Sequence, residues 1–227
     1  MTDAAGTANA REGSVRDRIV AALMTLLADR PLEQISLGDI ARQAGVTLAD
    51  LRAEFSSVIG ILGAHMKDID RKVLASDLSD MAEEAPREKL FDVLMRRLEA
   101  LASYKPAVRS LLRSASRNPG LAMALNGFAV RSLHFMLTAA DIGTAGPKGM
   151  VRAQGLALLY SRVLAVWVRD EDPGLARTMA ALDRELSRGA RWAGFLDDLF
   201  AIPRAFCRGA SRFRERRRRA DDEIVEA

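Results

Sequence analysis

Residues able to do covalent or metal chemistry are scarce in this chain. Of its 227 residues two are histidines, His65 and His134, and one is a cysteine, Cys207. A Ser–His–Asp or Cys–His relay needs a histidine within reach of a nucleophile and an orienting acid. Neither histidine stands in such a pattern, and His134 lies between Leu133 and Phe135. A zinc site needs four thiolate, imidazole or carboxylate donors; one thiol and two imidazoles fall short, and no Glu-x-x-His pair occurs. No glycine-rich phosphate loop of the GxxxxGK[ST] or GxGxxG form is present. The residues predict no enzyme, no cofactor and no metal. Side chains suited to non-covalent binding are more plentiful. Arg42 and Arg52 flank Thr47, Leu48 and Ala49. Guanidinium groups suit phosphates or a guanine edge, a hydroxyl suits a phosphate, and a small Ala permits close approach or contact with a thymine methyl.

These residues must be carried by helices. Hydrophobic residues make up 49% of the chain and aromatics 5%, with Ala, Leu and Arg abundant, a helix-rich composition able to fill a core. Ser14, Ser36 and Thr47 each precede an Asp by three residues (Asp17, Asp39, Asp50), a capping-box form that opens helices. The first predicted helix carries Ile19, Val20, Leu23, Met24, Leu26 and Leu27 and ends before Pro31. The second is interrupted at Ala44-Gly45-Val46, where Gly45 is free to take the positive φ of a tight turn. The third runs from Thr47 to about Phe55. Three capped helices, the last two joined by a glycine turn, form a helix-turn-helix pattern.

A connecting helix is expected over 58–74, then an acidic boundary over 75–86. Amphipathic helices follow over about 87–103, 106–117, 121–140, 150–169 and 174–187, with a last one from about 190. Lys105-Pro106, Asn118-Pro119-Gly120, Gly143 to Gly149 and Asp172-Pro173-Gly174 punctuate them. No strand alternation and no fixed repeat occurs, so the predicted fold is all-α. Its expected parts are a flexible start (1–13), the helix-turn-helix head (14–57), a larger helical body (58–200) and a basic tail (201–227).

Charge is uneven. Residues 1–57 carry six Arg against eight acids, whereas 201–220 carry eight Arg against Glu215 alone. No run of about 18 uncharged apolar residues is present, so no spanning helix is expected. The polar start MTDAAGTANAREGSVRD has no apolar stretch of a secretory leader, and a cytoplasmic protein is expected.

Residues 35–55, ISLGDIARQAGVTLADLRAEF, resemble the DNA-binding domain of the TetR family of bacterial regulators. The likeness lies in Ile40-Ala41, Ala44-Gly45-Val46, Leu51 and Phe55. It implies a homodimeric, ligand-responsive repressor that reads palindromic double-stranded DNA and binds a small apolar effector in its larger domain. Three positions depart from the family pattern: Arg52 where a tyrosine is usual, Val58 where a lysine is usual, and Asp50 where a small hydroxyl residue is usual. Residues 87–101 (REKLFDVLMRRLEAL), Asn118-Pro119-Gly120 and 178–186 (TMAALDREL) are also similar to a lipid-binding accessory family of ubiquinone biosynthesis, itself TetR-like. That likeness implies the alternative of a lipid carrier at the membrane surface with a vestigial head.

For an effector pocket the candidates are Phe91, Met95, Met123, Phe128, Phe135 and Met136, on the two central helices of the body; Met suits an adaptable apolar site. Leu156, Leu159 and Val163 share one helical face, which either pairs two subunits or packs inside one. In the tail, Phe206 and Phe213 with Arg216, Arg217, Arg218 and Arg219 suit an anionic membrane, nucleic-acid phosphates, or a basic extension of a packed last helix.

Overall fold

The computed structural model describes residues 13–76 and 83–189. The chain divides into two units, Met1–Glu185 and Leu186–Ala227, and the packing below is that of the first. Residues Phe206, Phe213 and Arg216 to Arg219 lie outside the described residues. The described chain is helical, with no strand among its residues. In order come α1 (Val15–Asp29), a 3-10 turn (Leu32–Gln34), α2 (Leu37–Ala44), α3 (Leu48–Glu54), α4 (Val58–Leu74), α5 (Pro86–Ala100), α6 (Lys105–Arg117), α7 (Pro119–Ala139) and α8 (Gly146–Trp167). The last, α9, spans 176–189.

All three capping boxes form. Ser14, Ser36 and Thr47 each accept from the backbone N–H three residues on, and Asp17, Asp39 and Asp50 each accept in return from the cap residue's backbone. Two later helices begin earlier than their apolar pattern suggests. The α7 helix starts at Pro119, with Asn118 as its cap, and α8 starts at Gly146 with Pro147 in its first turn. Proline removes only an N–H that a first turn leaves unpaired, so it marks a helix start here and not a break.

The head is built on Ile19, Leu23, Leu27, Ile40, Leu51 and Ile61, all at most 2% exposed. This cluster continues into the body through Ala107 of α6, with Leu125 and Phe128 of α7 packed against it. Polar contacts fasten the same junction. Ser110 donates to the Arg30 carbonyl, Ser114 donates to Glu33 and accepts from the Leu32 N–H, and Arg16 of α1 pairs with Asp68 of α4 at 3.2 Å. From the opposite face of α6, Arg109 donates to the Val168 carbonyl and Lys105 to that of Asp170. The cations thus cover carbonyls that the end of α8 leaves unpaired.

Candidate nucleic-acid interface

The head's outer surface follows from how α2 and α3 are joined. Gly45 takes φ 62°, ψ 41° and its N–H closes on the Ala41 and Arg42 carbonyls. A left-handed residue costs a side-chain-bearing residue strain that glycine avoids. From α1, Arg18 reaches the Ala44 and Gly45 carbonyls and so ties the turn to the rest of the head.

Leu51 is the buried residue of α3, and Phe55 closes the helix on the core. Everything else on α3 is exposed. At about 100° per residue, Ala49 and Ala53 point farthest from buried Leu51, and Arg52 and Asp50 stand equally far round on either side of it. Thr47, Asp50 and Glu54 share one flank of the helix and Leu48 and Arg52 the other, all of them exposed. The Thr47 hydroxyl donates to the Asp50 carboxylate at 2.7 Å and accepts from the Asp50 N–H at 3.1 Å. Its role is therefore to cap α3. These hydrogen bonds from Thr47 hold the Asp50 carboxyl below the usual carboxylate range, and the equivalent bonds from Ser36 do the same for Asp39. Thr47→Ala is expected to lower stability by about 1 kcal/mol, read as a shift in urea midpoint with an unchanged slope.

Arg42 is exposed on α2 and pairs with Asp39 at 3.2 Å. Arg52 has no ion pair among the described residues. The sequence placed five residues at this surface. All five are exposed, and Thr47 also serves as the cap that its spacing to Asp50 announces.

The expected effector residues do not converge. Met123 and Phe135 are 75% and 57% exposed on α7, and Met136 is fully buried. Phe128 packs on the head core, its ring so near Gly63 that a Cβ there would lie 3.1 Å from it. Met95 is half-buried on α5. Phe91 lines a groove of about 550 Å³ between α5 and α9, with Met179, the carboxylates of Glu84, Glu88, Asp92 and Asp183, and Arg87, which pairs with Asp183 at 2.6 Å. Leu156, Leu159 and Val163 are buried within a single copy of the chain. Their face packs inside the subunit because α8 lies along α7. The outer stripe of α8 instead carries Val151, Gly155, Leu158 and Ala165.

Sequence reasoning missed a charged cluster inside the body. Arg97 of α5 is 3% exposed. Its Nη2 donates to Ser132 of α7 at 2.9 Å and its Nη1 to the Tyr160 hydroxyl of α8 at 3.3 Å. Asp70 of α4 lies 3.4 Å from its Nε and accepts from Ser132 at 2.6 Å. The signal was present: Leu90, Val93, Leu94, Arg97 and Leu101 follow one helical stripe, in which an arginine occupies a core position.

The arrangement is a three-helix head on a helical body, and solved structures of the same organisation exist. A TetR transcriptional regulator from Nitrosomonas europaea superposes with a TM-score of 0.59 at 22% identity, covering 78% of this chain and 99% of that one. One from Rhodococcus sp. RHA1 gives a TM-score of 0.55 at 19% identity, covering 77% and 95%. The fold is that of the TetR family. No protein-family model and no curated protein matches the sequence. In TetR terms α2 and α3 are the helix-turn-helix, and α4 links it to the larger helical domain. No described helix is long and apolar enough to cross a membrane.

Proposed function

We propose that this TetR-like chain is a DNA-binding transcriptional regulator that works as a homodimer and answers to a small effector. The observation that carries the reading is the outward face of α3. Leu48, Ala49 and Arg52 stand clear of the core, and Asp50, exposed beside them, has its carboxylate tied to Thr47 in the cap. An acidic head (six Arg against eight acids in residues 1–57) is compatible with phosphate binding when acids are tied up in caps, as Asp17, Asp39 and Asp50 are.

Two heads related by a twofold axis would read half-sites about one helical turn apart, roughly 34–36 Å. The partner would meet the outer stripe of α8. Leu158 is 53% exposed there, and a Cβ on Gly155 would meet nothing. Leu158→Glu should convert the dimer to a folded monomer in sedimentation velocity; a dimer of unchanged affinity would move the interface elsewhere.

The test of DNA reading is Arg42→Ala/Arg52→Ala. Each arginine contact is worth about 1–3 kcal/mol, so the double variant should lose on the order of a hundredfold in operator affinity. Its dimerisation should be unchanged. Equal affinity of variant and parent would remove these contacts from the interface.

A further inference from the structure

Three helices of the body aim donors at one point in its interior. Arg97 of α5 brings a guanidinium whose Nε is buried and without a hydrogen-bond partner. Ser132 of α7 brings a hydroxyl, and Tyr160 of α8 a phenol 2% exposed. Burial pushes the Tyr160 phenol upward, so it remains a neutral donor. Such a set suits a carboxylate, since guanidinium and hydroxyl groups together can satisfy both of its oxygens.

The carboxylate now facing this set belongs to the fourth helix. Asp70 is on α4, the helix that continues from the head, and its fit is incomplete. Its contact with Arg97 Nε is an ion pair at 3.4 Å outside hydrogen-bonding geometry, whereas a fork–fork pair would place two oxygens at about 2.7–2.9 Å. The Arg97 side chain is 4% exposed and that of Asp70 14%, so the cluster meets solvent on the α4 side. Leu94, Leu98, Leu133 and Met136 are buried within one turn of Arg97 or Ser132, which makes the surroundings apolar.

We propose that Arg97, Ser132 and Tyr160 form a binding site for a monocarboxylic acid with an apolar body, and that Asp70 occupies it as an internal surrogate when the acid is absent. The inference rests on the regulator reading and supplies its effector class. When the acid binds, Asp70 leaves for solvent and α4 loses its charged contact with the body, keeping the apolar one through Ile69 and Val73. The same helix holds Arg16 of α1 through Asp68, so the exchange reaches the head. A ligand shifts such an equilibrium only through its different affinity for the two states, and competition with Asp70 provides that difference.

The experiment uses the full-length chain without DNA, titrated calorimetrically with octanoate and with octanol. Octanoate should bind and octanol should bind at least tenfold more weakly. Asp70→Asn removes the competitor and should tighten octanoate at least tenfold, and Arg97→Met should abolish the preference for the acid. Octanol binding as well as octanoate, no octanoate binding at millimolar concentration, or an unchanged affinity in folded Asp70→Asn would each overturn the proposal. If Asp70→Asn does not fold, the comparison of octanoate with octanol on the parent chain decides. Operator binding without octanoate binding would sink this site and leave the regulator reading standing. Octanoate binding without operator binding would do the reverse.

Discussion

Trp167→Ala will be among the most damaging single substitutions in the chain, lowering stability by about 3–5 kcal/mol. Trp167 closes α8 and is 1% exposed. The Lys105 ammonium sits 5.3 Å from the ring centroid while it also donates to the Asp170 carbonyl. Truncation therefore removes a large buried surface and leaves a void where α6 meets the end of α8, and it strips Lys105 of its aromatic partner. In a chain of this length the loss corresponds to a fall in Tm of roughly 10 °C. Met123→Ala is the control: its side chain is exposed on α7, so its effect should stay within about 0.5 kcal/mol. Equal midpoints for the two variants in urea would mean that the α6–α8 packing is not as described.

The second large effect is a dependence on pH centred on His65. This residue lies on α4, is 6% exposed, and stacks edge-to-face on Tyr104 with ring centroids 4.5 Å apart. Its Nε2 has no hydrogen-bond partner. Burial lowers its pKa from 6.5 to about 4; Lys72 and Arg97 push the same way and Asp68 opposes them. Above pH 6.5 the imidazole is neutral in both folded and unfolded chains and makes no difference to stability. Between pH 6.5 and 4 the unfolded chain takes up a proton that the folded chain refuses, so stability falls with acidification. The full loss is about 3 kcal/mol. Chemical denaturation at pH 7.5 and 4.5 should show a steeper fall for the parent than for His65→Phe. Parallel falls would assign the acid sensitivity to the carboxylates instead.

What was legible in the sequence was local. Ser14, Ser36 and Thr47 announce their helices because a hydroxyl and an acid three residues on need only one turn of backbone to meet. Gly45 marks its turn because few other residues adopt φ 62° without strain. Which face of a helix meets what is a different kind of information. Leu156, Leu159 and Val163 form an apolar stripe, and periodicity does not distinguish a stripe buried in its own subunit from one that pairs two subunits. Met123 and Phe135 look like pocket residues by type, yet the turn of α7 that carries each of them faces outward. Arg97 stands at a core position of its own stripe, but its partner Asp70 is not legible there, because tertiary packing brings the two together from helices more than twenty residues apart in the chain. At the three-helix head the departures at Asp50 and Arg52 were visible as letters. Only the helix geometry separates the acid, tied into the cap, from the arginine on the other flank.

The central claim is that this head still reads DNA, and it is tested most directly by selecting fragments of the source genome with the purified full-length chain. Selection belongs at physiological salt with excess competitor DNA, because the eight arginines of residues 201–220 could retain DNA nonspecifically when salt is low. Enrichment of a palindrome whose half-sites lie about 10 base pairs apart, lost in Arg42→Ala/Arg52→Ala, is the predicted result. A folded dimer that enriches no sequence would contradict it.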